Sequence, residues 1–197
     1  MRRSDKIVKR LFDLVLSTIG LLLFGWLIFV TAIMAWLDTG MSGFFKQTRI
    51  GQFAKPFKVI KLRSMRPVEG ITTSVSTDKD PRITKLGRFW RKSKLDELPQ
   101  LWNVWVGQMS FVGPRPDVPG FADMLQGEDR IILTIKPGIT GPASIYFKDE
   151  EALLAAQTDP EQYNKEVIWP KKVALNKQYI ETYSLGKDIG YIVKTVL

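Results

Sequence analysis

The chain has no cysteine and no histidine in its 197 residues. Without cysteine there is no disulfide, thiolate nucleophile or cysteine-ligated zinc, and the redox compartment stays open. Without histidine there is no imidazole base, no Ser-His-Asp triad and no histidine-ligated metal. Acid–base chemistry falls to Asp, Glu, Lys or Tyr, and any metal is a hard, oxygen-ligated ion such as Mg²⁺. A third absence is local: Leu14 to Leu37 carries no charged residue and no proline. The chain also has no internal repeat and no low-complexity segment.

Basic residues outnumber acidic ones, 29 to 20, for a formal charge of +9. Such a charge favours nucleic acid, anionic lipid or phosphorylated substrates, with plain solubility as the ordinary alternative. The uncharged run of 24 residues exceeds the roughly 20 needed to span a bilayer as a helix. It is also longer than the ~7–15-residue core of a signal peptide. Trp36 suits an interfacial aromatic. Arg2, Arg3, Lys6, Lys9 and Arg10 precede the run; Lys46, Arg49, Lys55, Lys58, Lys61, Arg63 and Arg66 follow it. The positive-inside tendency puts both flanks in the cytoplasm, which one span cannot do and a re-entrant hairpin can. Gly25 is the helix-weakening residue near the middle, and glycine permits a bend without compelling one.

Beyond Ser42 the pattern predicts two short strands, 44–51 and 56–65, with a turn near Gly51; the second alternates apolar and basic residues. Pro67 to Pro81 reads as a polar, mobile loop. Ile83 to Lys94 reads as an amphipathic helix, with Ile83, Leu86, Phe89 and Trp90 at helical spacing among cations. It suits an anionic membrane surface and the domain core equally. Gly107 to Pro119 and Lys136 to Pro142 read as Gly/Pro loops, and 150–157 and 167–183 as helices. Residues 190–197 form a short apolar tail.

The adjacent acids Asp96 and Glu97 follow a cationic block and precede Pro99, which suits a first helical turn, and the apolar stripe Leu98, Leu101, Trp102 and Trp105. Acids at that place are stabilised as anions, and the same place binds phosphate oxygens. A solvated capping pair is the alternative. Arg115, held between Pro114 and Pro116, suits bidentate phosphate contact; a solvated arginine in a turn is its alternative. An acidic pair in basic surroundings beside a membrane element suggests phosphate chemistry at a lipid surface.

Taken in order, several segments resemble the bacterial sugar transferase family, the small monotopic phosphoglycosyl transferases. They are Lys9-Arg10-Leu11-Phe12-Asp13, Lys61-Leu62-Arg63-Ser64-Met65, Asp80-Pro81-Arg82-Ile83-Thr84 and the run from Lys94 to Asn103. Met109 to Pro116, Lys136 to Gly141 and Tyr179 to Leu185 complete the set. Each piece is weak alone; the ordered set is specific and covers nearly the whole chain. Two positions depart from the pattern: Gly25-Trp26 stands where relatives often have Ser-Pro, and Gln108 stands where an acid often precedes Met-Ser.

The resemblance implies an α+β protein with an N-terminal re-entrant membrane helix (1–40) and a compact cytoplasmic catalytic domain (41–197) holding a small β element and amphipathic interfacial helices. The length fits the minimal catalytic unit of that family. It implies transfer of a sugar 1-phosphate from a UDP-sugar to polyprenyl (undecaprenyl) phosphate, releasing UMP, as the first membrane step of glycoconjugate assembly. It places the protein at the bacterial inner membrane, with Mg²⁺ as cofactor and no part for nucleic acid; a homodimer is compatible with it. By the same resemblance Asp96 is the nucleophile and direct metal ligand, and Glu97 assists as ligand, proton carrier or orienting group. Lys61, Arg63, Arg91 and Arg115 hold phosphate oxygens. The competing readings are an inactive membrane scaffold and a basic module binding anionic lipid or nucleic acid. The sugar is not fixed by any of these residues.

Overall fold

The uncharged run lies inside one long helix, α1 (Arg3–Thr39), which ends where Gly40 takes a left-handed conformation, φ 69°. The computed structural model describes residues 1–71 and 80–196. Residues 72–79, the centre of the expected polar loop, lie outside the described residues. α1 is long and apolar enough to cross a membrane, and its backbone stays helical through Gly25.

One stripe of α1 is buried: Lys9, Asp13 and Ser17 near its start, and Ile28, Thr31, Ala32 and Ala35 near its end. Both ends of the helix touch the rest of the chain. Asp13 accepts hydrogen bonds from Ser110 Oγ and Phe111 N, each at 3.0 Å. Near the other end, Arg66 pairs with Asp38. Gly43 meets the Ala32 carbonyl so closely that a Cβ there would lie 1.8 Å from its oxygen. The opposite face is apolar and exposed, with Leu22, Trp26, Phe29 and Leu37 each about two-thirds or more open.

β1 (Phe44–Ile50) and β2 (Pro56–Leu62) form the antiparallel hairpin expected from the sequence, running from Phe44 opposite Leu62 to Ile50 opposite Pro56. A short turn at Gln52–Ala54 joins them, with Phe53 and Ala54 at φ 59°. After a bridge between Met65 and Ile83 comes α2 (Lys85–Ser93), whose N-terminus is capped by the Thr84 side chain accepting from Gly87 N at 2.8 Å. Gly87 packs on the Ser64 backbone, where a Cβ would lie 2.0 Å from the carbonyl oxygen. The aromatic pair of this helix is split: Trp90 is buried and Phe89 is exposed.

α3 (Gln100–Trp105) starts at Pro99. Its expected apolar stripe divides. Leu101 is buried, while Trp102 and Trp105 stack on each other at 5.3 Å and stay half-exposed. The segment read as loop at 107–119 contains a strand, β3 (Ser110–Val112), paired in parallel with β4 (Gly138–Thr140) inside the other expected loop. These strands are too short for a period-2 pattern to register. What permits the pairing is glycine: a Cβ on Gly138 would lie 2.1 Å from Gly113 N. Short helices α4 (Pro142–Tyr146), α5 (Glu150–Ala155) and α6 (Pro160–Tyr163) follow, and then a π turn at Asn164–Ile168. α7 (Trp169–Glu181) begins at the expected Trp-Pro step. The apolar tail is a helix, α8 (Leu185–Val196).

The main core gathers Ile50, Val112, Ala122, Ile132, Leu133, Ile135, Val173, Tyr179 and Ile180. A smaller cluster of Val59, Val104 and Met109 lies under the hairpin. Burial of this apolar surface is the main favourable term holding β3, β4 and α7 together.

Candidate functional site: a carboxylate pair in a cationic wall

Asp96 sits on a tight turn, Leu95–Glu97, between α2 and α3. Lys94 ends α2 in the left-handed region at φ 58°. That reverses the chain, and Glu97 N bonds back to Lys94 O at 3.1 Å. The turn is fixed from below by Asn103 of α3, which is fully buried. Its side-chain oxygen accepts from Ile60 N at 3.0 Å, and its amide donates to Lys58 O and Gln108 Oε1, both at 2.8 Å. Asn103 thus ties α3 to the free edge of β2. Gln108, the residue that departs from the family pattern, serves this tie.

The two acids differ sharply in environment. Glu97 is clamped: Arg115 reaches both of its oxygens and Lys61 Nζ lies 3.2 Å from Oε1. Burial alone would raise its carboxyl. Arg115 and Lys61 outweigh burial and hold it well below the usual carboxylate range. Arg115 is itself raised, chiefly by Glu97. Asp96 is buried, 7% exposed, and accepts no hydrogen bond from any described residue. Burial pushes its carboxyl up, Lys61 opposes that, and the neighbouring Glu97 charge adds to the rise. Burial lowers the Lys61 ammonium against the pull of Glu97.

Arg115 reaches Glu97 because β3 and β4 pin its loop: Gly113 N donates to Thr140 O at 2.9 Å and Gly138 N to Pro114 O at 2.8 Å. Arg115 also donates to Ile139 O at 3.3 Å. Arg91 is near enough to lower the Asp96 carboxyl, and it pairs with Glu151 of α5. Five of the six expected residues, Lys61, Arg91, Asp96, Glu97 and Arg115, therefore come together. Arg63 does not join them. It donates to Ser42 O at 2.7 Å and stacks over Phe45.

The structure adds residues that no motif flagged. Arg49 donates to Gln47 and to Pro116 O, and burial followed by Arg115 lowers it. Asp117 is pushed up to about 6 by burial, against Lys172 and Arg49. Lys172 in turn pairs with Glu150 at 2.8 Å. These groups extend the charged wall away from Asp96. Arg49 stands in the first predicted strand, where no alternation of apolar and basic residues marks it, and Lys172 on α7 carries no signal either.

The acidic pair can do two things. Asp96, which accepts no hydrogen bond from the described residues, can act as an oxygen nucleophile or as a ligand to a hard cation. No cluster of three or more acidic side chains occurs among the described residues. Asp96 is the residue that could offer an oxygen to a hard cation such as Mg²⁺, an ion commonly held by one or two carboxylates together with phosphate oxygens and water.

The bacterial sugar transferase sequence profile matches residues 4–197. The chain is 36% identical over 198 residues to the UDP-glucose:undecaprenyl-phosphate glucose-1-phosphate transferase of Escherichia coli (strain K12), covering 98% of this chain and 40% of that protein. It is 31% identical to the UDP-N-acetylgalactosamine-undecaprenyl-phosphate N-acetylgalactosaminephosphotransferase of Aeromonas hydrophila, over 96% of this chain and 43% of that one. It is 30% identical to the exopolysaccharide production protein ExoY of Rhizobium meliloti (strain 1021), over 100% of this chain and 87% of that protein. The chain spans about two fifths of the length of the Escherichia coli and Aeromonas relatives.

Proposed function

Because this chain belongs to the bacterial sugar transferase family, we propose that it moves a sugar 1-phosphate from a UDP-sugar to undecaprenyl phosphate. The observation that carries the reading is the buried Asp96, which accepts no hydrogen bond from the described residues, beside a Glu97 already ion-paired with Arg115 and Lys61. In the first step an Asp96 oxygen attacks the sugar-bearing phosphorus, the bond to the bridging oxygen breaks, and UMP leaves with that oxygen. The product is an aspartyl phosphosugar ester. In the second step a phosphate oxygen of undecaprenyl phosphate attacks the same phosphorus, and the Asp96 carboxylate departs. The products are undecaprenyl-diphosphate-sugar and a restored enzyme.

Lys61, Arg91 and Arg115 offer positive charge where phosphoryl oxygens would gather, the main lever a protein has on such a transition state. Glu97 holds Lys61 and Arg115 in place, which makes it a positioning residue. Mg²⁺, when bound at Asp96, would supply neutralisation of phosphate charge. Arg63 stands outside this group and has a structural part at the Ser42–Phe45 turn.

The membrane geometry in this reading is re-entrant. A straight helix of 37 residues is about 55 Å long, well beyond the ~30 Å hydrocarbon core. Both of its ends pack on the same domain, through Asp13 and through Asp38. Contact of both ends with one domain, and the basic residues flanking both, support placing both ends on the cytoplasmic side, although α1 stays helical through Gly25, where a hairpin would need its bend. The exposed face of Leu22, Trp26 and Phe29 would sit in lipid.

Intact-protein mass spectrometry with Mg²⁺ and a panel of UDP-sugars, without lipid acceptor, tests this. Wild type should gain one sugar-phosphate mass with stoichiometric UMP release, and undecaprenyl phosphate should discharge it. Asp96→Asn should gain none. Turnover by Asp96→Asn, or wild-type turnover with no adduct under any quench, removes the covalent route.

A further inference from the structure

A second cationic site lies at the start of α1, away from the Asp96 cluster. A small cavity of ≈ 70 Å³ is lined there by Lys6, Lys9, Arg10, Asp13, Ser110 and Lys136, among others. Lys9 is neutralised in place, since its ammonium meets Asp188 at 2.5 Å. Arg10 donates to two backbone carbonyls, Val104 O at 2.6 Å and Trp105 O at 2.8 Å, so its charge is held but not balanced. Lys136 has no ion pair with any described residue.

The two unbalanced cations converge. A Cβ placed on Gly107, which has φ +84°, would lie 3.2 Å from both Arg10 Nη2 and Lys136 Nζ. The two nitrogens are therefore within about twice that distance of each other, where like charges repel. Burial and then Arg10 lower the Lys136 ammonium. The one acid lining the cavity is Asp13, and its Oδ1 already accepts from Ser110 Oγ and Phe111 N. Lys6, Arg10 and Lys136 thus outnumber Asp13 three to one once Lys9 is set against Asp188. Arg10, held by two carbonyls, and Lys136 beside it both line a cavity of that size, which is the electrostatic form of a site for one phosphate group.

The source of the phosphate follows from what surrounds the cavity. Ile7, Val8, Leu11 and Val15 on the same first turns of α1 are about half exposed and apolar. Side chains of that kind sit at the acyl boundary, which puts the neighbouring cations at headgroup depth. We infer that this cavity binds the headgroup phosphate of an anionic membrane lipid, anchoring the start of α1 to the bilayer independently of the Asp96 site.

The test uses the full chain in phosphatidylcholine nanodiscs made with and without phosphatidylglycerol. Native mass spectrometry reads the lipid retained, and hydrogen exchange reads the backbone around Lys136. Wild type should retain phosphatidylglycerol in preference to phosphatidylcholine. Lys136→Gln should weaken that retention about fivefold, the worth of one basic charge near an anionic surface, and Lys136→Arg should restore it. Lys165→Gln, which removes an exposed charge elsewhere, should leave it unchanged. Where Lys136→Gln does not fold, Lys6→Gln on the exposed rim of the cavity takes its place. Equal losses from Lys136→Gln and Lys165→Gln would mean diffuse surface charge and overturn the site. So would retention with no preference for phosphatidylglycerol. Inorganic phosphate added to the detergent-solubilised chain separates the sources: a Lys136-dependent thermal shift with phosphate, joined to no lipid preference, would assign the cavity to free phosphate and overturn the lipid reading.

Discussion

Arg115 grasps both carboxylate oxygens of Glu97, and Asp96, one residue earlier, accepts no hydrogen bond from the described residues. Two acids adjacent in the chain are thereby given opposite states. Glu97 is a fixed anion, and its charge raises the Asp96 carboxyl further than burial alone would. A nucleophile whose proton affinity is raised is more basic, but must first lose its proton.

This has a kinetic consequence. At limiting Mg²⁺, where no bound cation holds Asp96 ionised, the acid limb of adduct formation against pH should lie above the ordinary carboxylate range, because Asp96 reacts only when ionised. Glu97→Gln removes the negative neighbour and frees Lys61 and Arg115 to act on Asp96. Its acid limb should move to lower pH, while its maximal rate falls about 10²-fold or less, as suits a group acting through others. Lys61→Met should move the limb the opposite way. A pH–rate profile of UMP release checks both directions; a limb that Glu97→Gln leaves in place would separate the two acids.

Stability should show two opposed carboxylate effects. Asp117 has a folded value raised to about 6 from 3.8. Between those values the folded state binds more protons than the unfolded state, so stability rises as pH falls from neutrality through about 6. Glu97 has a folded value depressed below its ordinary 4.5. Its contribution is fully present above 4.5 and is lost as the pH falls further toward the depressed value. The melting temperature should therefore pass through a maximum on the acid side of neutrality. Asp117→Asn should flatten the neutral side, and Glu97→Gln the acid side, in thermal melts across pH.

Asn103 carries a different burden. It is fully buried and makes three hydrogen bonds, two of them to the β2 backbone. Asn103→Ala leaves those groups unsatisfied, at about 1–3 kcal/mol for each buried group left without a partner. The expected loss is about 3 kcal/mol, with faster amide exchange at Ile60. Adduct formation should fall with it, since Ile60 adjoins Lys61 and α3 supports the Asp96 turn. Full activity with normal exchange at Ile60 would mean the tie is dispensable.

Much of the candidate site was legible in the chain because its members lie in short charged motifs: Lys61 on an alternating strand, Asp96 and Glu97 before Pro99, Arg115 between prolines. α1 was legible from its lack of charge. Arg49, Asp117 and Lys172 were not, because only the β3–β4 pairing and the packing of α7 bring them together. That pairing itself was hidden: Gly113 and Gly138 read as loop residues, and their lack of side chains is what lets the two backbones meet. The same holds for Phe89. Helical spacing marks it as apolar, but Trp90 fills the core position beside it.

The least legible contact joins residues 179 positions apart, Lys9 of α1 and Asp188 of α8. Both are buried, and Asp188 also accepts from Tyr179 Oη at 2.6 Å. Together they fasten the first turns of α1 to the C-terminal helices. Removing one partner leaves a buried charge unbalanced, which costs about 3–5 kcal/mol, whereas replacing both with apolar residues is often close to neutral. Lys9→Met alone should therefore destabilise the protein strongly. Lys9→Met with Asp188→Leu should recover much of the loss, short of the Tyr179 hydrogen bond, worth about 1.5–3 kcal/mol to a charged acceptor. Adding Tyr179→Phe to that pair should recover part of the remainder, because it removes a buried hydroxyl left without an acceptor. Denaturant melts of the single, double and triple variants measure this directly. A double variant no more stable than Lys9→Met would show that the pair contributes geometry at the α1–α8 junction which apolar packing cannot supply.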